Sequence, residues 1–310
     1  MRSPQSKIFK AIACLLICLA HVGAALPQEQ ATDRSVLLTV TVTDPKGRYV
    51  SGLDKEHFSL TDKKREHEIT SFANDNGPMS VAILIDKSGS MTGNKPRLMA
   101  DWVAHFIGGS NIANEYLIIE FTTETKVLCD WDCGDKNLLA ALYSLSVTAP
   151  QKQTAFYDAC DFALRKIQTR SRTRRALVMM TDGLDNESKI SFTQLRRSLK
   201  QSDVMIYAVG LLSGSNAGSS LGMEPQGVMD ELASITGGKA FFPRSATELT
   251  EIAEQISLEL KTQYRIGLKL DTPPDHQFHS IKVKVAPLVL PTSKKPLQLN
   301  ARCKPEFYDP

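Results

Sequence analysis

Ser80-Val81-Ala82-Ile83-Leu84-Ile85-Asp86-Lys87-Ser88-Gly89-Ser90 decides the fold. Val81 through Ile85 is apolar without a break, so both faces of this strand should be buried, as in the centre of a parallel sheet. The run then stops on a carboxylate and a Ser/Gly turn. Downstream, Leu98, Trp102 and Phe106, with Val103 and Ile107 beside them, fall at helical spacing. Strand patterns recur at Tyr116–Phe121, Thr125–Leu128, Arg175–Thr181, Val204–Val209 and Lys239–Phe242. Helical patterns separate them at Leu138–Leu145, Phe156–Ile167, Val228–Ile235 and along Leu249, Ile252, Ala253, Ile256 and Leu260. Ser191-Phe192-Thr193-Gln194 and Ser245-Ala246-Thr247-Glu248 read as capping boxes that open helices. Strands alternating with helices predict an α/β fold, with a doubly wound, mostly parallel sheet and helices on both faces.

The flanks carry a different pattern. Leu38-Thr39-Val40-Thr41-Val42-Thr43 alternates with period two, Asp44-Pro45-Lys46-Gly47 is a turn, and Phe58–Leu60 and Glu68–Phe72 are further strand candidates around the charged tip Asp62–Glu66. The same alternation returns in Tyr264–Leu270 and Ile281–Val285. Either flank alone would make a marginal sheet. The expected arrangement is one small antiparallel β subdomain built from both, with the α/β domain inserted. The expected boundaries are a signal peptide at 1–25, a polar linker at 26–35, β segments at 36–77 and 263–303 around an α/β domain at 78–262, and a tail at 304–310.

The chain has 310 residues, long enough for a sizeable core; 23% are charged and 42% hydrophobic. The formal charge of +3, from 37 Lys and Arg against 34 Asp and Glu, excludes a strongly basic nucleic-acid binder. Gly and Pro are near average, which excludes a collagen-like or low-complexity chain. Arg2, Lys7 and Lys10 lie in the first 25 residues, which hold no acid. With these three set aside the basic count falls from 37 to 34, equal to the acidic count. The basic start, the apolar run Ala11–Ala20 and the small residues Gly23, Ala24 and Ala25 form a secretory leader. The run is short for a membrane span and ends at His21, so an uncleaved anchor is the second reading. Cys14 and Cys18 sit in this run, and Ile17 before Cys18 does not suit lipoprotein cleavage. The expectation is an exported protein, periplasmic or secreted, with no stable transmembrane segment after cleavage.

Beyond the leader lie Cys129, Cys133, Cys160 and Cys303. In an exported chain, Cys-Asp-Trp-Asp-Cys favours a local Cys129–Cys133 disulfide, with free thiols the alternative. Zinc would need more Cys or His at ligand spacing nearby. Cys160 falls in a helical pattern and is expected to be buried.

Asp86, Ser88 and Ser90 follow the first α/β strand directly, and ligands bind beyond the carboxyl ends of strands in such sheets. A carboxylate and two hydroxyls in one tight turn can aim oxygens at a single point, which suits a hard cation such as Mg2+. Thr181-Asp182-Gly183 puts a second carboxylate, Asp182, on the same rim, and Thr154 lies in a loop before a helix. Asp185-Asn186-Glu187 could add a cation site but reads as a solvated acidic loop. Arg170, Arg172, Arg174 and Arg175 could meet an anionic partner but read as a solvated basic loop.

D-x-S-x-S after an apolar strand, a Thr before a helix and an Asp in T-D-G resemble the metal-ion-dependent adhesion site (MIDAS) of von Willebrand factor type A domains, over about residues 78–262. The flanks, Val40–Gly47, Gly52-Leu53 through Phe58-Ser59-Leu60, and Tyr264-Arg265-Ile266-Gly267, are similar to bacterial exported proteins of that superfamily. The resemblance implies a Rossmann-like α/β fold and makes Asp86, Ser88 and Ser90 first-loop ligands. It implies that Thr154 binds directly in some states, and that Asp182 binds directly or through water. Gln153 stands where the family has a smaller residue. The implied cofactor is a divalent cation, Mg2+ first and Mn2+ or Ca2+ as alternatives. The implied partner is a protein that presents Glu or Asp to the open coordination position.

The sequence reading is therefore a non-enzymatic, metal-dependent adhesion or interaction module. The alternatives are a Mg2+-dependent phosphoryl-transfer hydrolase and a structural envelope protein with an unused site. Acyl-phosphate enzymes also place an Asp after a strand, but they carry a second carboxylate two residues on, where this chain has Ser88. No phosphate-binding loop, G-x-G-x-x-G or H-E-x-x-H is present, and His57, His67 and His105 are scattered. Recognisable nucleophile and base pairs are missing.

Overall fold

The computed structural model describes residues 35–62, 65–74, 76–147, 153–211, 224–270, 274–289 and 295–309. The expected leader lies outside them, as does most of the Gly/Ser-rich loop 214–227. Six strands form the central sheet: β5 (Ser80–Asp86), β6 (Glu115–Phe121), β7 (Thr125–Cys129), β8 (Arg175–Thr181), β9 (Met205–Gly210) and β10 (Lys239–Phe241). Their order is β10-β9-β8-β5-β6-β7, and every pairing is parallel except that of edge strand β7 with β6. The chain starts at β5, builds outward through β6 and β7, then crosses to β8 on the other side of β5. The topological switch point, where such sheets open a crevice for a ligand, is therefore at the carboxyl ends of β5 and β8.

The unbroken apolar character of β5 is explained by two cores. Val81, Ile83 and Ile85 pack with Met99, Trp102, Val103 and Phe106 of α1 (Lys95–Gly109), together with residues of α2 (Asp135–Val147) and α6 (Ala246–Lys261). Ala82 and Leu84 face the opposite layer, made by α3 (Phe156–Gln168), α4 (Phe192–Gln201) and α5 (Pro225–Ile235). Trp102 and Phe106, one helical turn apart, stack with centroids 5.3 Å apart. Ser191 and Gln194 make both halves of a capping box at α4. Ser245 caps α6 through the Glu248 amide at 3.1 Å, whereas the Glu248 carboxylate reaches past the cap to the Arg244 amide at 2.7 Å.

A third core lies in the flanks. β11 (Tyr264–Lys269) runs antiparallel between β1 (Ser35–Thr43) and β4 (Ile69–Asn74), with Leu38 opposite Ile266 and Val40 opposite Tyr264. β13 (Lys282–Val285) pairs with β2 (Phe58–Asp62), and β2 pairs with β3 (Arg65–His67). β14 (Asn300–Arg302) lies against the far end of β1. Leu38, Val40, Val42, Leu60, Ile266, Leu268 and Val283 fill the space between these layers. The alternation noted in β1 has this cause: one face meets the core, and Thr41 on the other is covered by the helical domain.

The expected tail and the expected basic loop are both corrected. Residues 304–310, expected as a tail, contain β15 (Glu306–Tyr308), which pairs with β12 (Phe278–Ser280) and buries Phe307. The arginine run is not a solvated loop. Arg170 forms a bidentate pair with Glu115, both contacts at 2.8 Å, and lies over the Trp131 ring. Arg174 is buried and donates to the carbonyls of Gly77 and Leu260, while Arg175 pairs with Asp203. These guanidiniums tie loops at the amino end of the sheet together, so they are not displayed for a partner.

Candidate metal centre

Asp86 is the last residue of β5, opposite Phe121 of β6. Its side chain is buried, and its two oxygens are already directed. One accepts the Ser88 amide at 2.8 Å, which closes the turn; the other accepts the Thr181 hydroxyl at 2.6 Å. Ser88 and Ser90 project from the same turn with their hydroxyls 3.1 Å apart. Lys87, between Asp86 and Ser88 in sequence, points to the opposite side. It is buried and donates to the Leu145 carbonyl at 2.5 Å, at the end of α2. The alternation of D-x-S-x-S thus separates oxygens facing the rim from a cation used for packing. Lys95 braces the turn from below, donating to the Ser90 carbonyl at 3.0 Å and to that of Leu211, past β9, at 3.1 Å.

Asp182 follows β8 directly and is buried. Its Oδ1 accepts the Leu184 amide at 3.2 Å. Gly183 between them has φ +78°, and a Cβ there would meet the Pro225 carbonyl at 2.9 Å, so both backbone and space demand glycine. Thr154 is buried before α3. The next residue, Ala155, donates its amide to the Thr122 carbonyl at 2.8 Å, just past the end of β6.

Thr154 is braced from the other side by the segment after β8. Its amide donates to the Asn186 side chain at 2.8 Å, and its carbonyl accepts the amides of Asn186 and Glu187. Asp185 is buried and accepts the Ser188 hydroxyl at 2.5 Å and the Tyr157 amide at 3.2 Å. The Asp185-Asn186-Glu187 segment, expected as a solvated acidic loop, instead fastens the Thr154 loop to the Asp182 loop. Thr181, Asn186 and Asp185 are the supporting residues that sequence reading missed. The one local signal was the crowding of polar residues in and just after T-D-G.

Burial pushes the Asp86 carboxyl up to about 6, against the lowering effect of the Thr181 hydrogen bond, and the negative charge of Asp182 adds to the rise. A buried carboxylate beside a second carboxylate is a site with too much negative charge for its burial. A cation removes that excess. The available donors, two carboxylates and the hydroxyls of Ser88, Ser90 and Thr154, are all oxygens, with no imidazole or thiolate among them. That set fits a hard divalent ion which keeps some of its waters. The residues could therefore hold a hard divalent cation.

Cys129 ends β7, and the structure joins its sulfur to that of Cys133, with the Cα atoms 5.6 Å apart. Cys160 is buried in α3, and Cys303 is partly buried. Among the described residues, no helix is long and apolar enough to cross a membrane.

The family model described as von Willebrand factor type A domain matches residues 80–255. No curated protein matches the chain. Among solved structures, proximal thread matrix protein 1 from the mussel byssus is 18% identical, covering 64% of this chain and 51% of its own, with a TM-score of 0.50. The same protein with a zinc-occupied MIDAS motif gives 18% identity, coverages of 65% and 50%, and a TM-score of 0.49. The von Willebrand factor type A protein from Catenulispora acidiphila is 11% identical, with coverages of 81% and 75% and a TM-score of 0.49. At 18% identity and a TM-score of 0.50, the likeness to the first of these is one of fold.

Proposed function

Because the chain belongs to the von Willebrand factor type A domain family, whose domains typically mediate protein interactions and are generally not enzymes, we propose that it is an exported, metal-dependent protein-binding module. The observation that carries this reading is the buried Asp86 carboxylate, held by the Thr181 hydroxyl at 2.6 Å in a turn whose Ser88 and Ser90 hydroxyls lie 3.1 Å apart, with Asp182 next to Thr181 at the end of β8. Asp86 and Asp182 supply the charge, and Ser88, Ser90 and Thr154 supply neutral oxygens. Thr181 holds the Asp86 carboxylate in place, and the segment 185–188 holds the Thr154 loop. Asp86, Ser88, Ser90, Thr154 and Asp182 would hold a divalent cation such as Mg2+, which would supply an electrophilic position for a Glu or Asp carboxylate of a partner protein. Export rests on residues 1–25, whose basic start and apolar run match a secretory leader.

Pull-down from envelope extract, with and without chelator, tests the proposal. Capture of a partner that is lost with chelator and lost in Asp86→Ala supports it. Capture indifferent to both overturns the metal-dependent mechanism. Turnover of a phosphate ester that requires both Mg2+ and Asp86 would replace it with the hydrolase reading.

A further inference from the structure

A second group of metal-ligating side chains lies in the flanking subdomain, on strands distant in sequence from the rim of the central sheet. β12 and β15 pair with His279 opposite Phe307, and the imidazole stacks on that ring at 5.3 Å between centroids. The ladder continues past β15, where the Asp309 amide donates to the Gln277 carbonyl at 2.9 Å. Before β12 the backbone turns back at His276, with φ +55°. That turn brings Asp275 over the strand, and its two oxygens lie 2.9 and 3.0 Å from His279 Nε2. Asp309 is buried beside them. One ligand atom from each of Asp275, His279 and Asp309 lies within 4.8 Å of the others. Across the ring, Nδ1 of His279 faces Asp62, at the end of β2, at 3.7 Å.

We infer that Asp275, His279 and Asp309 form a second divalent-metal site, of the zinc class, which Asp62 supports from behind the imidazole. The chemistry differs from that of the rim. An imidazole with two carboxylates suits Zn2+ and its transition-metal neighbours, whereas an all-oxygen set suits Mg2+ or Ca2+. Tetrahedral Zn2+ with bonds of about 2.0–2.2 Å sets neighbouring ligand atoms about 3.3 Å apart. The Asp275–His279 separations need only a small outward shift to reach that spacing. A ligating imidazole ordinarily gives its other N–H to a carboxylate, which sets its tautomer and orientation; Asp62, 3.7 Å from Nδ1, is the carboxylate on that side of the ring. Bound there, the ion would join β12 to the residues after β15, with β2 held behind the imidazole. It would cross-link the end of the described chain to the flanking subdomain.

The test is a Zn2+ titration of metal-stripped protein against a chromogenic chelator, with millimolar Mg2+ present. Asp86→Ala, which disables the rim, should keep one tight Zn2+ equivalent. Adding His279→Gln should abolish it, and adding Asp62→Asn should weaken it about 10- to 100-fold. In the unsubstituted protein, Zn2+ should protect His279 from diethylpyrocarbonate, read by mass spectrometry, so the test does not depend on a variant folding. If Asp86→Ala binds no Zn2+ tightly and His279 reacts equally fast with and without Zn2+, the inference is overturned. The reading of the rim is untouched by that result, because it is scored separately by Mg2+ and Asp86.

Discussion

The Thr41 hydroxyl donates to the Glu259 carboxylate at 2.9 Å, across 218 residues of sequence. Glu259 lies on α6 and is fully buried. It also accepts the hydroxyls of Tyr49 at 2.9 Å and Tyr207 at 2.6 Å, and pairs with Arg302. One carboxylate thus gathers groups from β1, the loop after it, β9 and β14, and locks the flanking strands onto the α/β domain. Its burial is tolerable because all of these partners are directed at it. Glu259→Ala leaves the guanidinium and hydroxyls facing a void. It should cost about 3–5 kcal/mol, read as a lower urea midpoint. A change under about 1 kcal/mol would show that the network does not hold the two parts together.

Thr181 offers a subtler test of the rim than removing a ligand. Thr181→Val keeps the shape of β8 but deletes the hydroxyl that holds Asp86 at 2.6 Å. If the rim binds metal as proposed, affinity for Mg2+ should fall about 10-fold or more, while Asp86→Ala abolishes binding. Calorimetric titration separates the two outcomes. Unchanged affinity in Thr181→Val would mean that the hydrogen bond does not organise the site.

Metal addition should also stabilise the folded chain, since an ion that binds only the native site lowers its free energy by mass action. At a free concentration 100 times the dissociation constant, the gain is about 2.7 kcal/mol. Melting temperature should therefore rise with Mg2+ or Mn2+ in the native protein. It should not respond to Mg2+ in Asp86→Ala.

The Cys129–Cys133 link closes a very short loop, so it can restrict the unfolded chain only modestly. The loop-entropy relation gives about 2 kcal/mol for a loop of this size. Peptide mapping of unreduced protein should recover the two cysteines joined, and reductant should lower stability by no more than about that amount. Recovery of both as free thiols would rule out the bond in the native protein.

Lys304 supplies a pH test. Its ammonium donates to the carbonyls of Lys200 at 2.5 Å and Ser202 at 2.6 Å, at the end of α4. Burial lowers its pKa from 10.5 to about 8, helped by the charge of Lys200 and opposed by Asp203 and Glu306. Between pH 8 and 10.5 the unfolded chain holds a proton that the folded chain has released, so this group makes stability rise with pH. Burial pushes the adjacent Cys303 thiol from 9.0 up to about 11, which acts in the opposite direction between those values. Comparison with Lys304→Met isolates the lysine. The native protein should gain stability relative to the variant across pH 8–10.5, and a flat difference would contradict the assignment.

The sequence by itself determined the central architecture and brought the candidate ligands to notice. Strand and helix periods are local, and the unbroken Val81–Ile85 run can be satisfied only between two helical layers. D-x-S-x-S, Thr154 and T-D-G each sit next to an element end, so their placement on one rim followed from the alternation of strands and helices. The tertiary structure alone decided what the charged residues outside those motifs do. Glu259 reads as one more polar residue of an amphipathic helix until strands from both ends of the chain bury it. Arg170 and Arg174 read as a solvated run until Glu115 and distant carbonyls meet them, and Asp185 and Asn186 read as a surface loop until they hold Thr154. His279, Asp275, Asp309 and Asp62 come together only because β15 folds back onto β12, and that return depends on burying Phe307. A side chain's charge is written in the sequence. Whether that charge faces water, a partner or a metal is set by long-range burial, which no local pattern encodes.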